Sequence, residues 1–182
     1  MSEERAEYKW DEECEGKVGR EVFREEDIRE NTKVGIFGSR TLKDERIKIL
    51  ILEAIKKYKP SCIVTAQEAG GVSEVAQRIA KEKAIPLTVH FLNFRYLRGA
   101  FEKRGKFILE NSDWILIIHD GKSKGTYNEW QMTKKHKKPF IYVNIPVIKN
   151  GRDVGWNIED EWERDLTNIP SDNFELDLEE EI

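Results

Sequence analysis

Residues 114–118, with the sequence WILII, constrain the fold more than any other segment, because they are apolar at every position. A strand with one face in water alternates apolar and polar residues, whereas a continuous apolar run fits a strand that is buried on both faces. Such strands belong to parallel sheets whose two faces are covered by helices. The segment therefore predicts the central strand of an α/β protein.

Short apolar runs alternate with helical patterns on both sides of this segment. Five strands that alternate with helices, joined by right-handed crossovers, predict a Rossmann-like, doubly wound parallel sheet with helices on both faces. Asn111 is expected to end the third helix in a left-handed cap. The predicted strands cover 34–37, 62–64, 87–92, 114–118 and 139–143, and the predicted helices cover 44–58, the residues after 71, about 101–109 and 126 to about 136.

Charge divides the chain into three parts, which we take as its domain organisation. Residues 1–32 carry a net charge of −6, residues 151–182 carry −10, and residues 33–150 carry +12. We expect a Rossmann-like domain at 33–150, between an acidic N-terminal extension and an acidic C-terminal extension that is partly docked or disordered. The N-terminal extension either forms a helix around 21–30 or stays loose. The basic centre either handles an anionic ligand or balances the acidic ends.

The composition argues against several classes of protein. No apolar run approaches the roughly 20 residues of a membrane span, and the first ten residues, MSEERAEYKW, do not resemble a signal peptide. Cys14 and Cys62 lack CxxC spacing and a neighbouring His cluster, so neither a disulfide scaffold nor a zinc module is expected. We expect a cytoplasmic protein without a metal ion or a resident cofactor.

The loop after the first strand contains Gly38, Ser39, Arg40 and Thr41. In an open parallel sheet, ligands bind at the carboxyl ends of the strands, where this loop begins. A glycine there permits a sharp turn, and two hydroxyls and a guanidinium are donors that suit phosphate. The loop predicts an anion contact, and a plain turn is the alternative.

The loop after the second strand contains the paired glycines Gly70 and Gly71, followed by Ser73. Paired glycines free the backbone amides to form an anion nest, and the start of the following helix adds a partial positive charge. The loop therefore also predicts an anion contact. The alternative is a tight turn in which Ser73 caps the helix.

The loop after the fourth strand contains Gly121, Ser123 and Gly125 and leads into Thr126 and Glu129. Its glycines and lysines bring amide and ammonium groups to one point. Thr126 and Glu129 have the spacing of a capping box, which is the structural interpretation of Glu129. The functional interpretation is a carboxylate that faces a ribose, where it accepts from hydroxyls or attacks an anomeric carbon.

Taken in order, these motifs resemble the SLOG superfamily. They are IFGSR at 36–40, AGGVS at 69–73, SD at 112–113 before an apolar strand, and GKSKGTYNE at 121–129. The superfamily unites the Lonely Guy phosphoribohydrolases, the DprA/Smf DNA-processing proteins and small YpsA-like nucleotide sensors. The resemblance covers about 33–145 and is closest to the small sensors. It implies a homodimer whose Rossmann-like domain binds a nucleotide or a nucleotide-derived ligand across the three loops.

The resemblance also implies candidate catalytic residues. Gly125, Thr126 and Glu129 match the Gly-Thr-x-x-Glu element of the phosphoribohydrolases. Arg104 lies where their Arg-Lys pair would fall, with Gly105 in place of the Lys. The Pro-Gly-Gly that precedes their Gly-Thr is replaced by a longer loop.

Three functions stay open on the sequence. The first is binding of a nucleoside phosphate or an ADP-ribose-type ligand, as in a sensor. The second is N-glycosidic chemistry, by a phosphoribohydrolase or an enzyme similar to the nucleoside deoxyribosyltransferases, in which Glu129 is catalytic and Arg40 and Arg104 hold phosphate. The third is DNA binding through the basic centre, as in the DNA-processing relatives.

Overall fold

The computed structural model of the chain describes residues 7–11, 18–145, 148–149 and 152–153. Our predictions for the acidic C-terminal extension therefore lie almost entirely outside the described residues. The strands are β1 (Glu7–Asp11), β2 (Val18–Phe23), β3 (Lys33–Gly38), β4 (Cys62–Ala66), β5 (Leu87–His90), β6 (Trp114–His119), β7 (Phe140–Asn144), β8 (Ile148–Lys149) and β9 (Arg152–Asp153). The α-helices are α1 (Glu45–Tyr58), α2 (Gly71–Glu82), α3 (Ala100–Glu110) and α4 (Lys124–Lys135), and short 3₁₀ helices cover Glu25–Asp27 and Phe94–Gly99.

The main sheet has the strand order β1-β2-β7-β6-β3-β4-β5. The five strands from β7 to β5 are parallel to one another. The chain moves outward from β3 to β4 and β5, then returns to the other side of β3 for β6 and β7. This is the doubly wound, Rossmann-like arrangement that the alternating pattern predicted, and the direction of winding reverses between β3 and β6.

The two faces of the sheet carry different helices. β6 alternates between them: Leu116 and Ile118 pack with α1 and α2, whereas Ile115 and Ile117 pack on the side of α3 and α4. All six residues of β6 are buried, as a strand covered on both faces must be. The predicted central strand is thus confirmed.

The N-terminal extension continues the sheet instead of forming a helix. β2 pairs antiparallel with β7, and β1 pairs antiparallel with β2. The helix expected around 21–30 is therefore wrong: the strand runs to Phe23, and only Glu25–Asp27 form a 3₁₀ turn. Without β2, the amides and carbonyls of one side of β7 would lack a strand partner. Phe23 also stacks on Phe140 at 5.7 Å, which buries apolar surface at this pairing.

The end of α3 differs from the prediction in one detail. Asn111 has φ −90° and ψ 7°, so the left-handed cap expected there is wrong. Its side-chain amide donates instead to the carbonyl of Phe107 at 2.9 Å and so closes the last turn of the helix. In the described part of the chain, no helix is both long enough and apolar enough to span a membrane.

Candidate functional site

A cleft of about 590 Å³ opens at the carboxyl edge of the sheet, beside the point where the winding reverses. Gly38 of β3 lies opposite Ile118 of β6, so the loops that follow these two strands leave the sheet side by side. The cleft continues between α3 and α4. It lies where ligands bind in open α/β sheets.

The cleft brings together seven of the residues singled out in the sequence and leaves six outside its lining. The lining residues are Gly38, Arg40, Arg104, Ser123, Gly125, Thr126 and Glu129. The residues that do not line it are Ser39, Thr41, Gly70, Gly71, Ser73 and Gly121.

Hydrogen bonds connect the loop after β3 to β6 and to the loop that follows β6. Ser39 is fully buried, and its hydroxyl accepts a hydrogen bond from the amide of Asp120 at 3.1 Å. Its own amide donates to the carbonyl of Ile118 at 3.2 Å. Ser39 therefore ties the loops after β3 and β6 together, while the half-buried Arg40 lines the cleft.

The hydroxyl of Thr41 is buried and has no hydrogen-bond partner among the described residues. Thr41 follows Arg40 in the loop but does not line the cleft. The hydroxyl therefore makes no observed contribution to a phosphate contact.

The glycines after β4 serve the packing of α2. Gly70 and Gly71 have φ of +139° and +69°, a region that side chains disfavour. A Cβ at Gly71 would lie 2.3 Å from the carbonyl oxygen of Ser39. The two glycines therefore let the start of α2 pack directly against the loop after β3, and neither of them lines the cleft. Ser73 does not cap α2, because it lies inside the helix and Gly70 holds the cap position.

The loop after β6 is organised by Asp120, which is 1% exposed. One of its carboxylate oxygens accepts from the amides of Lys122 at 2.8 Å and Ser123 at 2.7 Å. These two amides are therefore already used within the protein. Gly121 supplies the positive φ of +83° that the turn requires.

His119 supports the same loop from the sheet. Its Nε2 lies 2.8 Å from the carbonyl of Ser123, which only accepts, so this nitrogen carries the proton of the neutral ring. Nδ1 then accepts from the hydroxyl of Tyr142 at 2.8 Å. Burial lowers the pKa of His119, which favours this neutral form. His119 is thus a positioning residue for the start of α4.

α4 begins at Lys124, with Ser123 at the cap position, and so starts two residues before the predicted Thr126. Thr126 is buried in the first turn, so the capping box with Glu129 is wrong. The turn that Asp120 organises places Ser123 at the cap position, so the helix begins before Thr126. The first-turn amides of a helix have no intrahelical acceptors, and Gly125 and Thr126 of this turn line the cleft.

Glu129 lies in the second turn of α4 and lines the cleft. A Cβ at Gly105 of α3 would lie 3.7 Å from its Oε2 and 3.1 Å from the terminal methyl of Met132. Gly105 therefore lets α3 approach Glu129 and Met132 of α4 closely. The position where the family resemblance expects a Lys is the place where α3 and α4 approach each other.

Arg104 projects from α3 towards the end of β4 and is only 6% exposed. Its Nη1 donates to the carbonyl of Gln67 at 3.4 Å, and its Nη2 lies 3.9 Å from Oε1 of Glu68. The Phe101 ring lies 5.4 Å from the guanidinium carbon. Its Nε is buried and makes no hydrogen bond to any described residue. A guanidinium has five N–H donors, so Arg104 keeps unused donor capacity.

Sequence reasoning missed most of the lining residues that α3 and α4 contribute. Glu68 could have been found, because it lies in the loop that carries Gly70 and Gly71. The helix residues gave no local signal, since their meeting depends on α3 and α4 sharing one face of the sheet. The missed lining residues are Glu68, Phe101, Glu102, Lys106, Asn128, Gln131, Met132, Lys135 and His136.

The lining combines three kinds of chemistry. Arg40 and the first-turn amides of α4 suit an anion. The Glu129 carboxylate suits hydroxyl donors, and Phe101 and Met132 offer apolar contact to a flat ring. Within the ranges that the structure describes, no group of three His, Cys, Asp or Glu side chains is placed to hold a metal ion.

Comparisons of the chain with models of protein families, with curated proteins and with solved structures find no match. The resemblance to the SLOG superfamily therefore stays a prediction, and the cleft is interpreted from its own residues.

Proposed function

We propose that this protein binds a nucleotide or a nucleotide-derived ligand in the cleft at the carboxyl edge of its sheet. The observation that carries the proposal is that Arg40 and two first-turn residues of α4, Gly125 and Thr126, line one cleft where the winding reverses. A phosphate there receives charge-assisted hydrogen bonds from the guanidinium and benefits from the helix dipole.

The rest of the cleft suits the remainder of such a ligand. Glu129 lines the cleft, where its carboxylate accepts hydrogen bonds from ribose hydroxyls. Phe101 and Met132 flank a base through dispersion contacts. The predicted homodimer and the predicted DNA binding have no comparable support in these contacts.

A panel of nucleoside monophosphates, diphosphates and ADP-ribose, read by thermal shift and then by calorimetry, tests the proposal. A ligand at 100 times its dissociation constant stabilises the fold by about 2.7 kcal/mol. Arg40→Ala should weaken binding by about 1.5–3 kcal/mol, the range for a hydrogen bond to a charged group. Arg78→Ala is the matched control, because Arg78 is exposed on α2 and pairs with Glu74. Absence of binding across the panel, or equal affinity of both variants, contradicts the proposal.

A second candidate function is cleavage or transfer at the N-glycosidic bond of a nucleotide. Glu129 favours it, because this carboxylate lies in the cleft and has no capping role. A carboxylate beside the anomeric carbon either attacks it or stabilises the positive charge that develops there. Arg104 then belongs to the same centre, because it lines the same cleft as Glu129.

Chromatography for released base separates binding from turnover. If Glu129 is catalytic, the wild-type protein releases free base from a nucleoside monophosphate or a deoxynucleoside, and Glu129→Gln abolishes release while still binding. If Glu129 only binds ribose, no base appears and Glu129→Gln weakens affinity by roughly 1–3 kcal/mol. Glu53→Gln serves as the control, since Glu53 is exposed on α1, across the sheet. Base release that persists in Glu129→Gln contradicts both roles.

A further inference from the structure

The end of the cleft next to β4 contains an ion pair that the proposed function does not use. Arg104 is 6% exposed and the Glu68 side chain is 12% exposed, and both line the cleft. A buried guanidinium and a buried carboxylate that face each other cancel their net charge at this end. Arg104 therefore meets a ligand together with a carboxylate that lines the same cleft.

The two side chains neutralise each other's charge but do not hydrogen-bond to each other. The separation of 3.9 Å between Arg104 Nη2 and Glu68 Oε1 is longer than a hydrogen bond. Glu68 Oε1 instead accepts from the hydroxyl of Ser73, itself 2% exposed, at 3.4 Å. On the other side, Nε of Arg104 is buried without a hydrogen-bond partner in the described part of the chain. Donor and acceptor capacity therefore remains at an end of the cleft that has no net charge.

The strand order places this pair away from the anion-binding groups. Along the carboxyl edge, the start of α4 follows β6, Arg40 follows β3, and Glu68 follows β4, in that spatial order. A ligand that lies along this edge meets Arg40 and the first-turn amides of α4 first. Its far end then meets the Arg104–Glu68 pair.

We propose that Glu68 is a specificity-determining residue, which restricts the cleft to ligands that carry their anionic group at one end only. This inference rests on the proposed nucleotide binding. A hydroxyl or a base edge at the β4 end exchanges hydrogen bonds with Arg104 and Glu68. A second phosphate there meets the Glu68 carboxylate at close range in a partly desolvated site, where like charges repel strongly.

Calorimetry with nucleoside 5′-monophosphates of the four common bases and the corresponding 3′,5′-bisphosphates tests this role. The wild-type protein should bind the monophosphate about tenfold more tightly than the bisphosphate. Glu68→Gln should raise bisphosphate affinity about tenfold and change monophosphate affinity much less, because it frees the charge of Arg104. Glu102→Gln is the matched control: it also removes a carboxylate from the cleft, and it should shift both ligands by the same factor.

Removing one member of a buried ion pair can prevent folding, so two further variants isolate Glu68. Arg104→Gln leaves the carboxylate alone and should strengthen the discrimination against the bisphosphate. The double variant Glu68→Gln with Arg104→Gln removes both charges and should relax that discrimination by about tenfold relative to Arg104→Gln.

The outcomes separate this inference from the proposal beneath it. The protein could bind monophosphates while neither Glu68→Gln nor the double variant changes the ratio of monophosphate to bisphosphate affinity. That result overturns the role of Glu68 and leaves nucleotide binding intact. A wild-type protein that binds none of the eight nucleotides overturns the proposed function, and the role of Glu68 with it.

Discussion

The two faces of the sheet share the same strands, yet one is closed and the other is open. On the face of α1 and α2, glycines let backbone and side chains approach: a Cβ at Gly38 would lie 2.2 Å from Cβ of Val72. On the face of α3 and α4, a Cβ at Gly105 would lie 3.1 Å from the terminal methyl of Met132 and 3.7 Å from Oε2 of Glu129, and both of these residues line the cleft. Glycine therefore lets a helix pack on the sheet on one face, and on the other face it lets two helices that line the cleft approach each other.

The largest effect expected from this comparison is at Gly71. Gly71→Ala places a Cβ 2.3 Å from the backbone oxygen of Ser39 at a φ of +69°, and neither can relax cheaply. The free energy of unfolding should fall by roughly 2–4 kcal/mol, from backbone strain and overpacking together. Urea denaturation measures it. Gly99→Ala is the control, because the nearest atom to its Cβ is 3.9 Å away, and a comparable loss there would contradict the explanation.

The starts of α1 and α4, one helix from each face, offer a smaller contrast. The Asp44 carboxylate caps α1 by accepting from the amide of Arg46 at 2.8 Å, whereas Ser123 makes no side-chain cap at α4. Asp44→Ala should cost about 1 kcal/mol of unfolding free energy. Ser123→Ala should cost less than half as much, since no cap is lost. Equal losses in urea denaturation would show that the start of α4 depends on a cap that the hydrogen bonds do not reveal.

Gly105→Ala is expected to change stability and binding in opposite directions. A glycine inside a helix costs roughly 0.5–1 kcal/mol relative to alanine, and the flexible end of Met132 can yield to the added methyl. The variant should therefore be as stable as the wild type or slightly more so, but bind its nucleotide more weakly, because the displaced Met132 side chain lines the cleft. Denaturation and calorimetry on the same preparation measure both. A loss of stability without a loss of affinity would mean that Gly105 serves packing, as Gly71 does.

The smallest expected effect is a pH dependence on the closed face. A hydrogen bond from Lys57, together with one from Tyr58, lowers the pKa of Glu25. Burial, with the contact to Glu25, raises the pKa of Tyr58 to about 12, so its hydroxyl stays protonated. A lowered carboxyl pKa contributes stability that is present above the usual Glu pKa and is lost as pH falls through the folded value.

Glu25→Gln should therefore lose less stability than the wild type between about pH 6 and about pH 3. Urea denaturation at several pH values measures the difference. If the free energy of unfolding falls equally with decreasing pH in Glu25→Gln and in the wild type, the contacts of Glu25 with Lys57 and Tyr58 are not formed in solution.

The central sheet could be predicted from the sequence because its signals are local. All five predicted strands and all four predicted helices are present, with bounds that agree within about two residues. β2 could not be predicted, since its sequence VGREVF lies in an acidic stretch where a helix was equally plausible. Its strand partner, β7, lies far away in the sequence, so no local pattern announces the pairing.

Local patterns predicted the candidate site in the loops, whereas Arg104 of α3 was predicted through the family resemblance. The capping box was wrong because Asp120, not a Thr or Glu, organises the chain before α4 and moves the helix start to Lys124. Asp120 has no motif that marks it. The partnership of Arg104 with Glu68 requires α3 to pass over the end of β4, which only the tertiary structure decides.

The antiparallel pairing of β2 with β7 has a consequence for how the protein is made. Phe23 lies opposite Phe140, so the strand synthesised early must wait for one that leaves the ribosome more than a hundred residues later. At about 5–20 residues per second, that wait lasts several seconds or more. Meanwhile β1 and β2 can form only their own hairpin, and an isolated hairpin is marginally stable in water. β1 and β2 are synthesised before β7 but join the main sheet only after β7 has been made, because β2 pairs with β7.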